Sequence, residues 1–166
     1  WSSDVCSSDL GKKTISPAIE YPYGETPIVL DDAGRPLEHV ALNATDTSLV
    51  VAGSAGSRLN VLSLSREENM MTGEVTSEQK RIELPQMTEP VKAIFIDPRQ
   101  QWLYVINGRA LADVFSLRDK SLNGRYKLLE DGGAEITAST QLVGGISLIV
   151  GNSKRSEEHT SELQSP

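Results

Sequence analysis

Apolar side chains recur along this chain mostly at every second position, in short runs separated by Gly, Pro, Asn and Asp. A period of two is the signature of an extended ribbon with one face toward a core. The pattern predicts strands over residues 39–44, 48–53, 58–65, 81–84, 91–97, 102–107, 111–117, 125–129, 136–139 and 147–151. Residues 18–23, rich in Pro and Tyr, read as extended chain. Residues 26–29 read as a short strand before the Asp31-Asp32-Ala33-Gly34-Arg35-Pro36 turn. The polar stretch 66–79 reads as a long loop. No window carries apolar residues at i, i+3, i+4 and i+7 over a useful length, so almost no helix is expected.

The strands repeat. Ser48-Leu-Val-Val-Ala-Gly53, Trp102-Leu-Tyr-Val-Ile-Asn107 and Ser147-Leu-Ile-Val-Gly-Asn152 are versions of one six-residue strand. Val40-Ala-Leu-Asn43 and Ala93-Ile-Phe-Ile-Asp97 precede the first two, and Asn60-Val-Leu-Ser-Leu64 and Asp113-Val-Phe-Ser-Leu117 follow them. Aligned in this way, the connecting hairpin changes by one residue between repeats. Four antiparallel strands every ~40–50 residues is the signature of a β-propeller blade. The expected fold is therefore all-β, a partial propeller of about two four-stranded blades and the start of a third. The Trp-Asp dipeptide and the Gly-His signature of WD-type blades are both missing. An ordinary antiparallel sandwich is the alternative. Two blades do not close a ring, which leaves the inner face of the first blade and the last strand open.

The ends break the pattern. Residues 1–10 and 155–166 resemble translations of the two opposite strands of a sequencing-library adaptor, so they are expected to be non-native tails around a domain fragment spanning 11–154. Both are polar and aperiodic, with too little apolar surface to offset ordering, and are expected to lack structure. Their removal changes the charge reading. Each tail is net −2 (Asp4 and Asp9; Arg155 against Glu157, Glu158 and Glu162), leaving −3 of the chain's −7 for the rest. Cys6 and His159 also fall in the tails, so the remaining stretch has no cysteine to inform on metal, disulfide or thiol chemistry, and His39 is its single histidine. There is no basic stripe for nucleic acid, and no apolar run approaches the ~20 residues that cross a bilayer.

Candidate chemistry reduces to structural roles. Gly53-Ser-Ala-Gly-Ser-Arg58 has the look of a phosphate-cradling loop but is followed by strand alternation rather than a helix, so a hairpin turn is expected. Gly132-Gly133 and Gly144-Gly145 read as turns. Asp31-Asp32 point to opposite sides of an extended chain. Asp97-Pro98 reads as a turn cap, and His39 has no nucleophile constellation around it. Trp102, Tyr104 and Phe115 are expected to pack between blades, and Met70-Met71 to anchor the long loop, with a contact point for a partner as the alternative. No catalytic, cofactor-binding or metal site is expected, and the reading is of a non-catalytic chain.

Three runs carry a further resemblance: Tyr21-Pro-Tyr-Gly-Glu-Thr-Pro-Ile28, Leu42-Asn-Ala-Thr-Asp-Thr-Ser-Leu-Val-Val-Ala-Gly53 and Trp102-Leu-Tyr-Val-Ile-Asn-Gly-Arg109. Together they resemble the long-form permease subunit of phosphate-type ABC transporters of pseudomonads and related proteobacteria. The resemblance implies a propeller-like insertion on the periplasmic face of the inner membrane, with no membrane span of its own. Its implied partners are the rest of the permease, the ATPase and the phosphate-binding protein, and its implied role is docking or regulation. A generic WD-like interaction scaffold and a fragment of a lactonase-type propeller enzyme are the alternatives.

Overall fold

The computed structural model describes residues 28–31, 33–129, 134–142 and 147–153, and the backbone of 160–161. The first sheet is a meander of β1 (His39–Ala44), β2 (Ser48–Ala55), β3 (Arg58–Glu68) and β4 (Val75–Ile82). The second repeats it with β5 (Val91–Ile96), β6 (Trp102–Asn107), β7 (Leu111–Ser116) and β8 (Ser121–Lys127). A third holds β9 (Ile136–Gln141), β10 (Leu148–Asn152) and β11 (Thr160–Ser161). All pairs are antiparallel. The fold is all-β, with no helix among the described residues.

The sheets stack face to face in chain order, the arrangement of propeller blades. One core cluster joins blades one and two: Val50, Ala52 and Val61 meet Val91, Ile94, Ile96, Leu103, Val105 and Phe115. A second joins blades two and three through Ile106, Ala112, Leu148 and Val150. Strand alternation makes this possible, because neighbours along β6 point to opposite faces and so to different joints. Trp102 and Tyr104 therefore share one face, opposite Ser116 and Val114, whereas Phe115 lies opposite Leu103 on the other. The three aromatics do not form one packing unit. Phe115 fills the joint with blade one, and Tyr104 is buried on the side of blade three.

Four sequence expectations are corrected. Residues 66–79 are not a long loop: β3 runs on to Glu68 and pairs with β4 from Val75, leaving only a tight connection. The fourth strands begin earlier than expected, at Val75 and Ser121, because outermost strands face water on both sides and show no alternation. Ile28 and Val29 belong to no strand. Finally, the ladder sets Val51 opposite Leu62 but Val105 opposite Asp113, so the hairpin of blade two is three residues shorter than that of blade one.

The tails, residues 18–23, Asp32, Gly132-Gly133 and Gly144-Gly145 lie outside the described residues, save the backbone of Thr160 and Ser161. These two pair with Ile149 and Leu148, on the open edge of β10.

Candidate functional site

Polar residues in blade two are absorbed by turns. Asp97 Oδ1 accepts the N–H groups of Gln101 (2.6 Å) and Trp102 (2.7 Å), and Oδ2 accepts that of Arg99 (3.1 Å). Asn107 Oδ1 accepts from Arg109 and Leu111, and Ser116 Oγ accepts from Asp119. Each of these turns ends on a residue at positive φ, namely Gln100, Ala110 and Lys120. A short polar side chain opening each hairpin satisfies donors that the tight reversal leaves without ladder partners. This accounts for the burial of Asp97, Asn107 and Ser116. The expectation of a turn-capping Asp97 agrees with this geometry.

The β2–β3 connection is likewise a hairpin, with Gly56 at φ +63° and strand on both sides. Asp31 accepts two hydrogen bonds from Arg35 and one from the Ala33 N–H, which hold its carboxyl at about 2, below the usual 3.8. His39 opens β1, half-buried at the end of the strand.

One half-buried ion pair went unnoticed in the sequence. Asp113, fully buried on β7, takes a bidentate fork from Arg125 on β8, Nε to Oδ1 at 2.5 Å and Nη2 to Oδ2 at 3.0 Å. The hydrogen bond to Asp113 pushes the guanidinium above its ordinary value. The pair sits opposite Val105, at the joint with blade one. A fork of this kind satisfies both carboxylate oxygens and leaves neither free to act on a ligand. A cleft of about 300 Å³ lies where β4 leaves β3, lined by Arg58, Asn60, Arg81 and Glu83 among others. The Arg81 guanidinium donates to Leu30 O at 3.0 Å. Among the described residues no three His, Cys, Asp or Glu side chains come close enough to share a metal ion.

The feature most exposed to a partner is the β3–β4 arm. β2 begins at Ser48, opposite Ser65, and Arg66 N–H still donates to Thr47 O (2.8 Å), so Glu67 and Glu68 are the β3 residues that pair past the sheet with β4 alone. Its tip is a built turn. Asn69 N–H donates to Glu74 O (2.8 Å), Gly73 N–H to Asn69 O (2.7 Å), and Met71 N–H to Asn69 Oδ1 (2.9 Å). Gly73 takes the positive φ the reversal needs. Met70 and Met71 stand at this tip 99% and 98% exposed, so they anchor nothing within the described residues. The anchor reading failed because the segment it was meant to hold is a hairpin held by its own backbone.

Comparison with known proteins adds little beyond architecture. No protein-family model matches the chain, and no curated protein matches it. Among solved structures it is similar to the β-propeller domain of Cps50 (Swd1) from Myceliophteria thermophila, at 14% identity and a TM-score of 0.45. That match covers 70% of this chain and 35% of the other. It is also similar to Hsv2 of Kluyvelomyces marxianus, at 14% identity and a TM-score of 0.38 over 70% and 44% of the two chains. A chain of a mitotic checkpoint complex matches at 14% identity and a TM-score of 0.40, over 84% and 55%. The chain thus spans roughly a third to a half of the length of these propeller structures. By its own sheets and joints, it is a partial, propeller-like all-β domain.

Proposed function

We propose that this chain is a non-catalytic interaction domain that engages a protein partner through the tip of the β3–β4 arm. The observation that carries the reading is the fully exposed Met70-Met71 pair, held out by a turn whose backbone is already satisfied. Methionine is flexible and polarisable and suits a surface that must mould to another protein. Glu67, Glu68 and Glu74 on the arm keep it soluble when free and favour a partner with basic groups around an apolar contact.

The finer reading is an accessory domain of a phosphate-importer permease on the periplasmic face of the inner membrane. It is supported by the three sequence runs that resemble that family. Its natural partner is then the importer's phosphate-binding protein. The test is binding of that protein to the immobilised chain, compared with the Met70→Ser/Met71→Ser variant. Binding that the variant weakens at least about tenfold supports the reading. Equal binding by both forms removes the arm from the proposal, and no binding removes the importer. Turnover of lactones with a divalent ion present would overturn the non-catalytic assignment.

A further inference from the structure

The chain's three methionines divide between two environments. Met87 is 7% exposed and belongs to the core cluster that joins blades one and two, with Val50, Val91, Leu103 and Phe115. Met70 and Met71 stand almost wholly in solvent at the arm tip. The turn beneath them is built without their side chains. Asn69 N–H donates to Glu74 O, and Asn69 O accepts from the N–H groups of Thr72 (3.2 Å) and Gly73. Asn69 Oδ1 accepts from the N–H groups of Met71 and Thr72, and Glu74 N–H donates to Thr72 Oγ1 at 3.3 Å. Both thioethers are thus open to attack, and nothing in the turn depends on their staying apolar.

We propose that Met70-Met71 is a reversible oxidation site that switches the arm tip between an apolar and a polar state while the fold stays intact. The co-reactant is a hydroperoxide, of which hydrogen peroxide is the simplest. A lone pair of the thioether sulfur attacks one peroxide oxygen, an S–O bond forms and the O–O bond breaks. The other oxygen takes the proton of the transferred hydroxyl and leaves as water. The sulfur is oxidised to the sulfoxide and the peroxide is reduced. Hydrogen peroxide is uncharged at neutral pH, so Glu67, Glu68 and Glu74 do not repel it from the tip. A sulfoxide is polar and chiral, and burying it against an apolar surface leaves a strong acceptor without a partner. Met87 is protected because its sulfur meets the oxidant only when the joint opens. The regulatory sense of the site rests on the reading of the arm tip as the contact surface; its chemistry does not.

The test exposes the full 166-residue chain to hydrogen peroxide in native buffer, with Cys6 alkylated beforehand so that methionine alone is read. Peptide mapping by mass spectrometry should find sulfoxide at Met70 and Met71 forming at least about tenfold faster than at Met87. In urea the three should react at similar rates. Chain oxidised only at the tip should keep the urea midpoint of untreated chain. Its retention on a hydrophobic-interaction column should fall to that of the Met70→Ser/Met71→Ser variant. Methionine sulfoxide reductases of both epimer specificities should restore it. Met87 reacting as fast as the tip in native buffer overturns the inference. So does a lowered midpoint after tip-only oxidation, or an unchanged retention. Equal capture of the importer's phosphate-binding protein by untreated and tip-oxidised chain overturns the switch as well. Failure of the interface reading shows separately, as absence of capture by the untreated chain before any peroxide is added.

Discussion

Gln100 and Ser48 lie in different blades and are joined by both ends of one amide. Ser48 Oγ donates to Gln100 Oε1 at 2.5 Å, while Gln100 Nε2 donates to Ser48 O at 3.3 Å, to Asn43 O at 3.0 Å and to Asn43 Oδ1 at 3.1 Å. Gln100 makes this bridge from a strained position at φ +56°. The β5–β6 turn of blade two is in this way fastened to the β1–β2 turn of blade one. Removal of the amide in Gln100→Ala is expected to cost about 1–3 kcal/mol. Gln100→Gly loses the same bonds but relaxes the backbone, and should recover about 1 kcal/mol of that loss. Urea unfolding of the two variants checks the order. A glycine variant less stable than the alanine variant would show that the strain argument is wrong.

Asp97 serves a single turn and Gln100 a joint, so their variants should differ in kind. Asp97→Ala strips three backbone N–H groups of their acceptor and is expected to cost about 1–3 kcal/mol. Asp97→Asn retains one acceptor oxygen and should cost less. Hydrogen exchange at Gln101 and Trp102 reads the effect directly, with faster exchange expected in Asp97→Ala.

At the first joint, Phe115 is 2% exposed, and Phe115→Ala is expected to lose about 3–5 kcal/mol through the cavity it leaves. Leu42→Ala, at an exposed position of β1, should change the stability by no more than about 0.5 kcal/mol. Thermal or urea midpoints measured at low protein concentration test the contrast.

The Asp113–Arg125 fork predicts an order rather than a magnitude. Arg125→Ala leaves a fully buried carboxylate without its partner and should lower the unfolding midpoint most. Arg125→Lys supplies charge but not a bidentate fork, so it should restore only part of the loss. Replacement of both residues by aliphatic ones should be milder than Arg125→Ala alone. If the lysine variant equals the wild type, the fork geometry is irrelevant.

Asp31 gives a pH dependence with a definite sign. Its carboxyl is held at about 2 against an ordinary 3.8, chiefly by Arg35. A depressed carboxyl contributes stability above the unfolded value and loses it as pH falls toward the folded one. The stability difference between wild type and Asp31→Asn is therefore expected to be constant above about pH 5 and to shrink between about 4 and 2. Urea midpoints at a series of pH values would show it, and a difference that grows on acidification would contradict it.

The inner strands were legible in the sequence because each buries residues at a joint, so β1, β2, β5, β6 and β7 show alternation or a dense apolar run. The outer strands were not. Val75–Ile82 is exposed along nearly its whole length, and Ser121–Lys127 likewise, so no hydrophobic period marks them. The strand β4 is dictated instead by the Asn69 turn and by pairing with β3, a tertiary effect that a local pattern lacks. The same gap hid the arm and the exposure of Met70 and Met71. Asp113 was visible only as a member of a repeat motif, since its partner Arg125 lies on the strand whose start was misplaced. Asp97 was found because an aspartate before a proline at a strand end has a local mechanism.

The stacking of consecutive meanders also determines how the domain comes apart. Strand pairing is confined within each sheet, so every ladder closes over short loops and can form early, while the joints must wait for two finished sheets. Stability is then distributed as in a linear array, where a unit flanked on both sides outlasts those at the ends. Blade two, held by Phe115 and Val91 on one side and by Ile106 and Ala112 on the other, is the unit so flanked. Among the described sheets its amides are expected to be the last to exchange with solvent, with unfolding proceeding inward from the two flanking sheets.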